Sequence, residues 1–334
     1  MKYKINLFMR KPLDGQHFSL ENIYSNLFKK FKHESFEIEF KICPVVSKGI
    51  FNRIFLCVWA FFNQGDLNHI SGDINFISIF LNKRKTINTI HDCYSMKRLT
   101  NFKKIIYLFL WIKIPFLKSK KIITGSHKTK EELLNYFKND NENKIKVINN
   151  FISENFIKSP KKKINKIPKI LIIGTSKNKN IYNIIKSLKK IKCEVIIIGK
   201  LSNEIESLLK KNLINFKNFN SLPQRKIVQF YINSDILLYP STYEGFGLPI
   251  LEAQSVGRAV VTSNLEPMKF VAGKGALLVN PKNIKQISKA IQKILLNNEF
   301  RLTLIQKGYD NVKRFTKDKI LKKHLEIYKE ILNI

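Results

Sequence analysis

The sequence predicts an α/β protein built from two doubly wound, Rossmann-like domains facing a central cleft. Strand-like runs alternate with helical patterns along the chain, and several runs are continuous apolar stretches: ILII, VIII and ILLY. Strands buried on both faces read this way, as in parallel sheets covered by helices. Strand–helix alternation is the pattern of doubly wound folds. At about 150 residues per domain, the 334 residues correspond to two domains.

In the first half the strands are expected at Lys4–Phe8, Phe36–Ile42, Leu67–Ile70, Thr86–His91, Lys121–Thr124 and Lys144–Ile148, with helices at Ser19–Phe31 and Thr129–Phe137. In the second half they are expected at Lys169–Ile173, Glu194–Ile198, Asp235–Tyr239, Ala259–Thr262 and Ala276–Val279, with helices at Asn180–Ile191 and Ile284–Leu296. Between the halves, Asn155–Pro168 carries two prolines, a lysine run and little periodicity, which marks a boundary. The expected domains are 1–155 and 169–315, joined by a linker over 156–168. A last helix, Lys317–Leu332, places Leu321, Leu325, Tyr328 and Leu332 at three- and four-residue spacing, so one stripe of it must pack on something.

The composition is ordinary for a globular chain except in charge. Sixty Lys and Arg against 25 Asp and Glu leave +35, which suggests an anionic partner. Only eight of the basic residues are Arg, the residue that reads phosphates and guanine edges bidentately. The lysines are spread among 34 Asn, a mixture that AT-rich codons also supply. No nucleic-acid partner is expected; an anionic membrane surface or a nucleotide-sugar fits better. Lys103, Lys104, Lys113, Lys118, Lys120 and Lys121 flank the apolar stretch Ile105–Leu117. That stretch reads either as an interfacial helix or as a core helix with a solvated edge. Cys43, Cys57, Cys93 and Cys193 form no CxxC pair, and the N-terminus has no signal-like apolar core, so the expected compartment is the cytoplasm. The histidines show no metal-ligand spacing and there is no DxD pair, so neither a metal nor another cofactor is expected.

The chemistry concentrates in Asp235–Val261, DILLYPSTYEGFGLPILEAQSVGRAVV. A buried strand ends at Pro240, and a loop runs to Gly247. Leu248 and Pro249 open a helix that Gly257 closes. Gly245 and Gly247 let backbone approach a ligand closely, and free N–H groups at a helix start favour an anion. Glu244 and Glu252, eight residues apart, can serve one site. A phosphate near the amides and carboxylates near hydroxyls fit a nucleotide-sugar. The alternative is a helix whose Glu only complements the dipole and a loop whose glycines only turn.

EGFGLPILEA, with its E-x7-E spacing, resembles the retaining glycosyltransferases of family 4, which have the GT-B fold. IGTSKNKNIYNIIKSL (173–188) and VAGKGALLVNP (271–281) extend the resemblance over nearly the whole second half; NHISGDINFI (68–77), TIHD (89–92) and SHKTKEEL (126–133) carry it more loosely through the first. The resemblance implies that Glu244 faces the donor sugar and Glu252 the ribose. Gly245, Phe246, Gly247 and Leu248 would bind the sugar and distal phosphate, and Lys179 would neutralise the diphosphate. Many relatives carry an Arg where this chain has Thr175; Lys177 is the nearest cation. His91 resembles a family histidine near the transferred sugar, with Asp92 orienting it or capping the next helix. The glycine-rich loop after the first strand is reduced to Gly15. The last helix is implied to return to the first domain.

The expected function is transfer of a sugar, with retention and without metal, from a nucleoside-diphosphate donor to a saccharide acceptor, lipid-linked, in cell-surface polysaccharide or lipopolysaccharide synthesis. The enzyme would sit in the cytoplasm or on the inner face of its membrane. The alternative is a decayed sugar-nucleotide-binding or scaffold protein, against which the intact Lys179, Glu244 and Glu252 argue.

Overall fold

The computed structural model describes residues 2–12, 19–28, 31, 33–137, 139–161 and 163–334. The chain divides into two compact units, one of residues 1–150 with 317–334, the other of residues 151–316. This differs from the expected linker at 156–168. Phe151 and Phe156 are buried, and Ser255 donates to the Phe156 carbonyl at 2.6 Å. Lys161 pairs with Asp235 at 2.8 Å, and the Asn165 amide nitrogen donates to the same carboxylate at 2.8 Å. The proline- and lysine-rich segment looks unstructured in sequence because its partners lie 70 to 99 residues downstream.

The first unit holds a six-stranded sheet: β1 (Tyr3–Met9), β2 (Phe36–Ile42), β3 (Leu67–Ile70), β4 (Thr86–Ile90), β5 (Lys121–Thr124) and β6 (Ile145–Val147), in the order β2-β1-β3-β4-β5-β6. All its pairings are parallel. The connections β2→β3 and β4→β5 step across the sheet in the same direction, so right-handed crossovers put their helices on one face. These are Ile50–Phe62, which the sequence reading did not place, and the run Asn101–Leu117, whose middle is a π-helical turn over Leu108–Lys113. Leu56, Cys57, Ala60 and Trp111 share one core there with Phe76 and Ile77.

The other face is covered by Ser19–Phe28 and by the returning helix Lys317–Leu332. That helix buries Ile320, His324, Ile327 and Tyr328, so its stripe is centred one position away from Leu321 and Leu325 and includes a histidine. Tyr328 stacks on Phe28 at 6.2 Å, and its hydroxyl meets His69 Nδ1 at 2.6 Å. His69 Nε2 meets Thr89 Oγ1 at 2.8 Å, as does the Tyr24 hydroxyl at 2.8 Å. The Tyr24 ring lies edge-on to His69, His91 and His324. Three histidines remote in sequence thus meet around one aromatic ring, and among the described residues no group with a metal-binding arrangement occurs.

Burial holds these imidazoles neutral, with His91 lowered to about 4 and His324 to about 3, and His69 also lowered. An unfolded histidine protonates near pH 6.5. Between that pH and about 4 the unfolded chain therefore binds more protons, and stability falls as pH falls. Each buried histidine costs roughly 1.4 kcal/mol per pH unit over this window. The denaturant midpoint of the first unit is expected to drop steeply between pH 6.5 and 4.5; a flat profile would contradict the neutral assignment.

The second unit holds β7 (Lys169–Ile173), β8 (Glu194–Ile198), β9 (Asn215–Phe219), β10 (Ile236–Tyr239), β11 (Ala259–Ser263) and β12 (Leu277–Val279), all parallel, in the order β12-β11-β10-β7-β8-β9. The chain winds outward from the β7–β10 pair in both directions, the doubly wound order with its switch point between those strands. One sheet face packs Ile184, Leu188, Ile287 and Ile291, the other Leu251, Val256, Tyr231 and Phe315. No helix among the described residues is long and apolar enough to cross a membrane.

Candidate active site

In open parallel sheets the ligand crevice lies beyond the carboxyl ends of the strands at the switch point. In the second unit that point is flanked by the loops after β7 and β10, which carry Lys179 and Glu244. Side chains of the N-K-N triplet lock the two loops together. Asn178 donates to the Tyr243 carbonyl at 2.8 Å and its own carbonyl accepts from Thr242 N at 2.8 Å. Asn180, in the left-handed region at φ 62°, donates to the Pro240 and Pro281 carbonyls at 3.0 and 2.6 Å.

Lys179 and Glu244 meet in this frame. Lys179 Nζ lies 2.7 Å from Glu244 Oε1 and 2.7 Å from the Tyr239 hydroxyl. An ammonium has three N–H groups, so a third remains for another acceptor. The pair is mostly shielded from water, at 17% and 12% side-chain exposure, which strengthens it over a surface pair. Gly174, at φ +85°, makes room: a Cβ there would lie 2.8 Å from Lys179 Cε. Burial, and then the Glu244 carboxylate, push the Tyr239 hydroxyl far above its ordinary range, so it stays a neutral donor and acceptor.

The helix Leu248–Val256 starts at Gly247, in the left-handed region with no side-chain cap, and Gly257 ends it, also left-handed. Pro249 has no N–H and Ile250 N donates to the Gly247 carbonyl at 3.1 Å, so at this start Leu248 N–H is the amide left for an anion. Leu248 is partly exposed at that start, while Phe246 is buried and packs edge-on to Phe315. Glu252 accepts from the Tyr231 hydroxyl at 2.6 Å. Burial raises its carboxyl to about 7, with the Tyr231 bond opposing.

Thr175 donates to the Lys200 carbonyl at 2.5 Å, which anchors its loop. Lys177 is exposed, with no ion pair among the described residues. Asn218, near the end of β9, donates to the Ile197 and Gly199 carbonyls. Tyr231, Tyr239 and Asn178 were not singled out from sequence; the first two sit in apolar surroundings that read as core.

In the first unit, His91 follows β4 and its Nε2 is buried, with no hydrogen-bond partner among the described residues. Asp92 accepts from Tyr94 N at 2.8 Å at the start of a short helix. Arg10, after β1, acts electrostatically on both His91 and Asp73, whose carboxyl burial raises to about 6. Arg10 and Asp73 lie near the β1–β3 switch point and were missed because neither belongs to a recognisable spacing. Gly15 lies outside the described residues.

Two parallel-sheet Rossmann-like units are the architecture of the GT-B fold. Residues 153–311 match the profile of the family described as glycosyl transferases group 1. The chain is 29% identical, over 71% of its length and 69% of the relative's, to the O-antigen chain mannosyltransferase RfbU of Salmonella typhimurium. It is 26% identical, over 44% of its length and 39% of the relative's, to the N,N'-diacetylbacillosaminyl-diphospho-undecaprenol alpha-1,3-N-acetylgalactosaminyltransferase of Campylobacter jejuni. Its fold is similar to that of Anabaena Alr3699/HepE, crystallised with UDP and glucose, at 15% identity and a TM-score of 0.78 over 98% of this chain and 100% of that one.

Proposed function

We propose that this glycosyltransferase moves a sugar from a nucleoside-diphosphate donor to a lipid-linked saccharide during assembly of an O-antigen or capsular type polysaccharide, with retention of configuration and without a metal, at the cytoplasmic face of the membrane. The observation that carries the reading is the Lys179–Glu244–Glu252 constellation at the switch point of the second sheet. The relatives' names and the Anabaena complex with UDP and glucose support the donor and acceptor classes.

In the free protein Glu244 occupies Lys179. A bound diphosphate takes the spare N–H of Lys179 and amides of the glycine loop that leads into the helix Leu248–Val256, and Glu244 turns to a sugar hydroxyl. Departure of the nucleoside diphosphate develops negative charge, which the fixed ammonium stabilises without reorganising. The leaving phosphate is the base that accepts the acceptor's proton. Glu252 accepts hydrogen bonds from the ribose hydroxyls, most strongly when both its oxygens are those of the ionised carboxylate.

A pH dependence follows. With the Glu252 carboxyl near 7 in the free protein, nucleotide affinity is expected to rise by on the order of tenfold from pH 6 to pH 8. Glu252→Gln should flatten that rise. Tyr231→Phe should displace its midpoint upward, because the hydroxyl favours the carboxylate. Calorimetric titration at several pH values checks this; an identical profile in all three proteins would remove Glu252 from the ribose site.

A further inference from the structure

The helix Ile50–Phe62 has two apolar stripes. Leu56, Cys57 and Ala60 face the core. Phe51, Ile54, Phe55, Val58 and Phe62, at helical spacing along the opposite side, face outward, with Phe51 at 84% and Phe62 at 78% exposure. A surface helix of a globular protein normally turns polar residues outward, and a contiguous exposed apolar patch marks an interaction site.

The run Asn101–Leu117 lies on the same sheet face and repeats the pattern: Phe102, Ile105 and Phe109 are exposed while Trp111 and Ile112 are buried. The two elements touch where Arg53 lies 4.9 Å over the Trp111 ring. In sequence, the stretch Ile105–Leu117 fits either an interfacial or a core helix. In the structure its Trp111 and Phe116 are core, and the larger apolar face belongs to the helix the sequence reading did not place.

Charge identifies the occupant. Residues 41–65 and 93–130 contain no acidic residue and together hold 13 Lys and Arg. Lys48, Lys103, Lys104 and Lys113 are exposed, with no ion pair among the described residues. A second copy of this chain would bring the same positive rim against itself, in a protein already at +35. An anionic bilayer matches both features, since apolar side chains enter the headgroup–acyl boundary while lysines meet phosphates.

We infer that the helix Ile50–Phe62, with Phe102, Ile105 and Phe109 beside it, is a docking surface for anionic phospholipid. The inference rests on the proposed function only for its use, to hold the enzyme where a lipid-linked acceptor lies. The test needs neither donor nor acceptor, so its failure removes this surface and leaves sugar transfer standing, whereas loss of nucleotide binding does the reverse.

The protein carries its own probe. Its two tryptophans, Trp59 and Trp111, both belong to these elements. With vesicles of brominated phosphatidylglycerol in phosphatidylcholine, tryptophan emission is expected to be quenched, and binding to be at least tenfold stronger than to pure phosphatidylcholine and weakened by salt. Phe51→Glu with Phe55→Glu should lower binding at least tenfold, and Lys103→Gln with Lys104→Gln should lower it mainly at low salt. Both phenylalanines are exposed, so the melting temperature should be kept; should the variant melt early, wild-type quenching decides alone. Unquenched emission with equal recovery on both vesicles overturns the inference. So does a dimer in sedimentation that the Phe variant dissolves without any lipid binding, which would assign the face to a second copy.

Discussion

Removing residues 317–334 is expected to leave the first unit unable to fold. The helix buries Ile320, His324, Ile327 and Tyr328, and Tyr328 holds His69, which in turn holds Thr89. Truncating one buried aliphatic or aromatic side chain costs about 2–5 kcal/mol. Losing four, with the face they cover, exceeds much of the roughly 5–15 kcal/mol that stabilises a domain. The expected product is insoluble, or soluble with no cooperative melt. A milder variant, Tyr328→Phe, keeps the ring against Phe28 and removes only the hydroxyl partner of His69. It should cost about 1–3 kcal/mol, the price of an unsatisfied buried group. A truncated protein with the full-length melting temperature would show the helix to be dispensable.

Lys179→Ala is expected to lower kcat/KM by about 10²–10³-fold, the range seen when one fixed group stabilising transition-state charge is removed. The same change leaves the Glu244 carboxylate shielded and unpaired, which repels a diphosphate. The double variant Lys179→Ala with Glu244→Gln should therefore recover part of the lost nucleotide affinity, though not the turnover. Gly174→Ala should act on the same lysine indirectly, since its Cβ would collide with Lys179 Cε and the backbone there is left-handed. Steady-state kinetics with nucleotide titrations separate these effects. Equal turnover in Lys179→Ala and wild type would take the lysine out of the site.

What was legible in the sequence follows from how each element is buried. The ILII, VIII and ILLY strands are enclosed on both faces and read directly from their apolar runs. Strand β9, NFKNF, lies at the sheet edge and is nowhere fully buried, so it carries no apolar run by which a strand could be placed. The helix Ile50–Phe62 is apolar on both sides, so it has no polar face against which a period of 3.6 could show. Glu244 and Glu252 are marked in the sequence by their E-x7-E spacing, and Lys179 only by the family resemblance of its segment. Tyr231 and Tyr239 were not, because a buried tyrosine on a core helix or strand looks apolar until its hydroxyl partner is placed beside it. The meeting of His69, His91 and His324 depends on the chain returning across more than 200 residues, which no local spacing records.

The central claim is that Lys179, Glu244 and Glu252 hold a nucleoside-diphosphate sugar. Isothermal titration of GDP-, UDP-, ADP- and dTDP-linked sugars into the full-length protein, and into Lys179→Ala and Glu252→Ala, tests it most directly. The wild type is expected to bind one nucleotide class saturably, one to one, with affinity weakened tenfold or more in each variant while both keep their cooperative melt. Binding of none of the four, or equal affinity in wild type and variants, would contradict it.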